Sequence, residues 1–360
     1  MTDQNAMLNN EMYFVRNMKW LRDEAAPRET WEYQIVADSE IVGAVTYGPY
    51  YFTVWQIGFD TKEGDGRWLC LRVNHRMTVG DDSPAEPASR DGFYHGGGAP
   101  DEIVALSSLF LRRRLSLGPV VRIGDLPRML DRRNRANSWI DRPLVAGQSN
   151  LNALPDWFQK VEGLRSALHQ PFILSVKLYQ QALALIEDSP DIAYLNLVSA
   201  IEVLSGEFDV GPVTLADRDS KLALLVARIP DEDLRRDIER RSLELERFIG
   251  RRFVRFILDH VEEDFWDHAD RPEMGRVESD NLPKLLKRVY AFRSKALHSG
   301  EPFPAFVLRP PLMGAEIPFG FSFAQGERQW DEKDYIPYAH FFERLIQHVL
   351  LNFLKRNQTN

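Results

Sequence analysis

The pattern of apolar and polar positions changes in kind near residue 150. Before it, four segments alternate or are rich in β-branched and aromatic residues: 31–36, 41–47, 50–59 and 68–73. Such segments predict an antiparallel sheet, and Asp65-Gly66 supplies a hairpin-turn signal between the last two. A helix is predicted over Glu102–Leu115 behind the capping residue Asp101. The stretches 80–100 and 124–150 are rich in turn-forming residues and are predicted to be loops.

After residue 150 the apolar residues recur at helical steps of three and four. The predicted helices are Phe158–Glu187, Ile192–Leu204, Asp219–Ile229, Asp231–Phe265, Leu282–His298 and Pro337–Lys355. Residues 301–327, which hold several prolines, are predicted to be a loop. We therefore predict an α+β protein with a β-rich domain over residues 1–150, followed by an all-α helical bundle over residues 151–360.

Composition narrows the functional classes. The chain has 360 residues, of which 44% are hydrophobic and 27% charged, as in ordinary globular proteins. A single cysteine, Cys70, excludes an intramolecular disulfide and a cysteine-rich zinc site. The polar segment Met1–Asn10 contains no leader pattern, and no apolar run approaches the roughly 18 residues of a membrane helix. We expect a cytoplasmic protein without a membrane partner.

Charge allows two interpretations. The formal net charge of −8 argues against non-specific coating of nucleic acid. Eight arginines nevertheless lie between Arg112 and Arg135, and eight more between Arg235 and Arg255. Each cluster is either a local RNA-binding face or a solvated helix surface with intrahelical ion pairs.

The strongest chemical signal is the segment Arg293-Ser294-Lys295-Ala296-Leu297-His298, which a helix stop at Ser299-Gly300 follows. Arginine is a permanently charged, forked ligand for phosphate, and histidine exchanges protons near neutral pH. Together they suffice to cleave RNA without a metal or cofactor, because one group moves the proton of a 2′-hydroxyl while the other stabilises the charge on the phosphate.

A helical domain with Arg-x4-His at the end of a late helix resembles the HEPN superfamily, and most closely its Apea-like branch. The resemblance covers residues 164–353. Three passages carry it: residues 194–204, residues 290–300, and the last amphipathic helix.

The resemblance implies an all-α bundle that forms a symmetric homodimer. It also implies a metal-independent endoribonuclease of a defence or toxin system, antiviral defence included, which leaves 2′,3′-cyclic phosphate ends. By position, Arg293 would hold the scissile phosphate and His298 would act as general base or acid. The family often has Asn, Asp or His directly after the arginine, where this chain has Ser294. Some family members are inactive dimerisation or ligand-binding modules.

Several neighbouring residues are candidates for supporting roles. Glu202, in an apolar helix, would orient the Arg293 fork. Ser294 would form hydrogen bonds at the site. Lys295 and Ser299 would contact the RNA backbone, and the alternative for Lys295 is that it only solvates the surface. The expected substrate is single-stranded or loop RNA, whose unstacked nucleotides can adopt in-line geometry. The β-rich domain would bind an unknown ligand or trigger. Two alternatives stay open: an inactive module whose motif braces the dimer, and a regulator that acts only when triggered.

Overall fold

A computed structural model describes residues 11–22, 27–54, 68–76, 97–126, 144–145, 147–206, 208, 211, 214–244, 249–267, 271–309, 314–320, 322–325 and 328–359. Its helices are α1 Tyr13–Trp20, α2 Ala99–Leu111, α3 Leu154–Glu162, α4 His169–Leu185, α5 Pro190–Ser205, α6 Leu215–Arg218, α7 Ser220–Val226, α8 Glu232–Glu244, α9 Ile249–His260, α10 Leu282–Ser299 and α11 Ala339–Arg356. Its strands are β1 Arg28–Ala37, β2 Ile41–Val42, β3 Ala44–Tyr47, β4 Tyr50–Val54, β5 Trp68–Arg76, β6 Leu115–Ile123, β7 Ser149–Asn150, β8 Phe323–Gln325 and β9 Arg328–Trp330.

The chain divides into two compact units. The first contains Met1–Ala200 and Ala339–Asn360, and the second contains Ile201–Tyr338. This division does not coincide with the boundary predicted near residue 150, because helices that follow it pack with the elements that precede it. In the described ranges, no helix combines the length and the apolar character that crossing a membrane requires.

The first unit is built on a five-stranded antiparallel sheet with the order β3-β4-β5-β1-β6. This confirms the predicted antiparallel sheet and the α+β class. Ile35 of β1 pairs with Leu69 of β5. Strand β1 lies between β5 and β6, and its last six residues are buried. The turn predicted at Asp65-Gly66 lies outside the described residues, as does most of the stretches 80–100 and 124–150.

Helices from both ends of the sequence complete this unit. Helix α2 packs against α4, and α4 packs against α11. The indole Nε1 of Trp157 on α3 donates to the carbonyl of Leu106 on α2 at 3.1 Å. A buried ion pair joins Arg112, directly after α2, to Glu343 on α11. These contacts explain why the helices around residues 154–200 belong to the sheet-containing unit.

The structure corrects three predicted helices. The helix predicted over Glu102–Leu115 ends at Leu111, because Arg112 adopts a left-handed conformation with φ 53° and pairs with Glu343; β6, which was not predicted, begins at Leu115. The helix predicted over 158–187 is two helices, α3 and α4, and α3 ends at Glu162 with Gly163 as its C-cap. Within the helix predicted over 231–265, the structure describes α8 and α9, which ends at His260, while the four residues between them lie outside the described ranges.

The second unit contains helices and one short hairpin. Helix α9 packs its apolar face on α10, where the rings of Phe253 and Tyr290 lie 5.5 Å apart. The hairpin β8–β9 corrects the all-α prediction for residues 151–360. It forms in the proline-rich region predicted as loop because Phe323 packs on the buried ring of Phe306 at 5.2 Å and on Tyr335.

Candidate functional site

Helix α10 positions the Arg-x4-His motif. It begins with Pro283 in its first turn and ends at Gly300, whose φ of 64° is left-handed and whose N–H donates to the carbonyl of Lys295. Such a cap is the usual role of glycine after a helix. Both Arg293 and His298 lie within the regular helix, so their five-residue separation places them about 140° apart around its axis.

Arg293 is held by two partners in the second unit. Its Nη2 donates to a carboxylate oxygen of Glu202, and the side chains are only 16% and 15% exposed. The guanidinium carbon lies 5.7 Å from the centre of the Tyr290 ring, and Tyr290 shares a hydrogen bond with Glu202. Burial and then the Glu202 charge raise the pKa of Tyr290 to about 12, so its hydroxyl keeps its proton at neutral pH. The fork of Arg293 is thereby fixed in orientation.

His298 lies at the exposed end of the same helix. Its side chain is exposed and makes no hydrogen bond or ion pair with a described residue. Lys295 and Ser299 are also exposed, whereas Ser294 is half-buried; the ammonium of Lys295 lies 5.9 Å from the ring of Phe292. The structure therefore brings Glu202 to Arg293, as the sequence suggested, but one chain does not bring His298 to either of them.

A basic cavity of about 480 Å³ lies between α9 and α10. Arg251 and Arg255 of α9 and Lys287 of α10 line it, together with Tyr290. None of its eight lining residues is acidic. Sequence reasoning found the arginine cluster 235–255 but missed this cavity. The available signal was the i, i+4 spacing of Arg251 and Arg255 on a helix with a strongly apolar opposite face.

A second cavity, of about 980 Å³, lies on another face of α10. Its charged residues have both signs. Arg276, Lys284 and Lys333 stand with Glu278, Asp331 and Glu332 in its lining. The guanidinium of Arg288 donates to the carbonyls of Glu332 and Tyr335, both at 3.0 Å. This mixed surface favours no single sign of ligand charge.

The arginines after α2 serve the interior of the first unit. Arg113 and Arg114 are each 2% exposed. Arg112 forms two hydrogen bonds of 3.0 Å with Glu343, and Arg114 pairs with Glu187 at 3.2 Å. The interpretation of this cluster as an RNA-binding face does not hold for these three residues. Four further arginines of the stretch lie outside the described residues.

In the part of the chain that the structure describes, no group of three or more His, Cys, Asp or Glu side chains is placed to hold a metal ion. Comparison of the chain with family models, with curated proteins and with solved structures finds no match in any of the three.

Proposed function

We propose that the protein is a metal-independent endoribonuclease of the HEPN type that acts as a homodimer. The observation that supports this most is the state of the two motif side chains on α10. Arg293 is fixed by Glu202 and Tyr290, while His298 is exposed and without a partner among the described residues. A positioned cation and an accessible proton-transfer group are the two elements that the reaction needs.

The chemistry is an internal transfer at phosphorus. A base takes the proton of the 2′-hydroxyl, the 2′-oxygen bonds to the adjacent phosphorus, and the bond from phosphorus to the 5′-oxygen breaks. The 5′-oxygen takes up a proton, so the products are a 2′,3′-cyclic phosphate and a 5′-hydroxyl. His298 exchanges the protons, and Arg293 stabilises the negative charge on the non-bridging oxygens. Ser294 donates a hydrogen bond to the same phosphate.

The pairing with Glu202 leaves Arg293 usable as a phosphate ligand. A guanidinium has five N–H donors, and the Glu202 carboxylate engages Nη2. The carboxylate therefore orients the fork while other donors remain. The Nε of Arg293 is buried and has no hydrogen-bond partner in the described structure. A small rotation towards an incoming phosphate would give that N–H an acceptor.

The homodimer is part of the proposal because one chain separates the two groups by about 140° around α10. A two-fold axis places the same surface of two copies face to face. In that arrangement, Arg293 of one copy and His298 of the other meet at a single phosphate. Lys295 and Ser299, exposed beside His298, contact the flanking backbone. The first unit, with its sheet, selects the substrate or responds to a trigger.

A second function is favoured by the Arg293–Glu202 ion pair. The carboxylate neutralises the charge that would bind phosphate, and such a pair also occurs in purely structural interfaces. In that case the protein is an inactive dimerisation or ligand-binding module. Arg293→Ala would then weaken the dimer, and RNA would not be cut.

The experiment is a cleavage assay on mixed cellular RNA in EDTA. Wild type is compared with His298→Ala and with a control, Lys284→Ala, which removes an exposed side chain from the same helix. The proposal expects cutting by wild type and Lys284→Ala, none by His298→Ala, and cyclic phosphate at the mapped ends. Equal cutting by wild type and His298→Ala, or no cutting at all, would contradict it.

A further inference from the structure

We propose that the basic cavity between α9 and α10 is a binding groove for the sugar–phosphate backbone of single-stranded RNA that leads to His298. The RNA identity of the ligand rests on the proposed function. The groove itself is supported by the charges, the helix geometry and the lining of the second unit.

Two cations of the groove have no ion-pair partner among the described residues. Arg255 and Lys287 are exposed and make no ion pair with a described residue. On α8 the pattern is different, because Arg236 pairs with Glu232 and Arg240 pairs with Asp237 on their own helix. Cations that have no described ion-pair partner attract a polyanion. Of the two described cavities, the groove is the one whose charged lining residues all have the same sign.

The face of α10 that lines the groove continues to His298. Lys287 and His298 are eleven residues apart, which places them within about 20° of each other around the helix and about 16 Å apart along it. Ser294, seven residues after Lys287, lies on the same face. Arg293 is displaced from Lys287 by about 120°. A strand bound along this face passes Ser294 and reaches His298, and the arginine that meets it there belongs to the second copy.

The lining of the groove favours a single strand over a duplex. Between the cations the lining is apolar, with Val254, Leu258 and Pro283. Unstacked bases cover such surface, whereas the bases of a duplex are already stacked. The ring of Tyr290 closes one side of the groove, and Gly250 packs so closely on it that an added Cβ would be 2.7 Å from the ring. A cationic rim beside an apolar lining fits a single strand.

The test measures binding separately from cleavage. Full-length His298→Ala protein is titrated into a fluorescein-labelled oligouridylate of about 12 nucleotides, within the usual site sizes for single strands, and anisotropy is recorded. Two double variants are made in this His298→Ala background. The groove variant combines Arg255→Ala with Lys287→Ala, and the control variant combines Arg276→Ala with Lys284→Ala. Both pairs remove two exposed positive charges, but the control pair lines the mixed cavity. Circular dichroism melting establishes that both fold.

The groove variant is expected to bind the oligouridylate about tenfold more weakly than the parent. The slope of log affinity against log salt concentration should also be shallower by about 1.4, because two phosphate contacts to a single strand are lost. The control pair stays within about twofold of the parent. Equal weakening by both pairs, weakening by neither, or no binding by the parent overturns the groove. Equal affinity for a duplex of the same length overturns the single-strand assignment.

These outcomes separate the groove from the enzyme. If the groove variant loses binding while wild-type protein never cuts RNA, the groove stands and the proposed function fails. If wild type cuts RNA and introducing the groove substitutions into it changes neither binding nor cutting, the function stands and the groove is wrong.

Discussion

Removing the guanidinium of Arg112 would leave the carboxylate of Glu343 buried without a cation. Glu343 is fully buried on α11, where its two carboxylate oxygens share the Nε–H of Arg112 at 3.0 Å and one of them also accepts from Arg112 Nη2 at 2.5 Å. Its remaining partner is the hydroxyl of Tyr179 on α4. Burial, followed by the negative charge of Glu343, raises the pKa of Tyr179, so that hydroxyl stays a donor at neutral pH. One hydroxyl does not replace a bidentate cation.

Arg112→Ala is therefore expected to lower the free energy of unfolding by about 3–5 kcal/mol, the cost of breaking a buried ion pair from one side. Because the side chain of Arg112 is 19% exposed, solvent screens part of the pair, and the lower half of that range is the better expectation. The matched control is Arg236→Ala, which breaks an exposed ion pair with Glu232 and should cost about 0.5 kcal/mol or less.

The Arg112→Gly variant separates two contributions to the free energy of unfolding, that of the ion pair and that of the backbone conformation. Arg112 has φ 53°, a left-handed conformation that costs a side-chain-bearing residue about 1–2 kcal/mol and costs glycine little. The glycine variant should therefore be about 1 kcal/mol more stable than the alanine variant, but less stable than wild type. Urea unfolding followed by circular dichroism measures all three. An Arg112→Ala protein as stable as Arg236→Ala would refute the reasoning.

Two further predictions concern a buried histidine and a close helix contact. Burial lowers the pKa of His169, whose Nδ1 accepts from the Met12 N–H while Nε2 lies 2.8 Å from the Leu164 carbonyl. Because the unfolded state binds the proton more readily, the free energy of unfolding should fall as pH drops below about 6.5. His169→Gln should flatten this pH dependence, and an unchanged slope would exclude His169 as its cause. Gly250→Ala should cost about 1–3 kcal/mol by overpacking, since its Cβ would lie 2.7 Å from Tyr290, and thermal unfolding at or above the wild-type midpoint would show that the ring moves freely.

The elements that could be predicted from the sequence are those whose local pattern and tertiary environment agree. Strand β1 alternates and is buried in the sheet, and α10 has an apolar face and a glycine stop. The end of α2 could not be predicted, because Arg112 leaves the helix to meet Glu343, a residue more than 200 positions away in sequence. The local pattern of residues around position 112 contains no information about such a distant partner.

The candidate site divides in the same way. The motif and the pairing of Glu202 with Arg293 could be proposed from residue types, because a carboxylate in an apolar helix needs a cation. The α9–α10 cavity could not, since Arg255 and Lys287 are 32 positions apart and adjoin only when two helices pack. Whether Arg293 and His298 meet depends on a second copy, which neither the sequence nor one chain contains.

The most direct test of the proposed enzyme is subunit complementation. Arg293→Ala and His298→Ala proteins are assayed in EDTA on one labelled RNA, each alone and after subunit exchange in equal amounts. If the site combines Arg293 of one copy with His298 of the other, each variant alone is inactive. The mixture then recovers about a quarter of the wild-type rate, because half of the dimers have one intact site of two. An inactive mixture beside an active wild type would contradict the shared site, and cutting by His298→Ala alone would contradict the proposed chemistry.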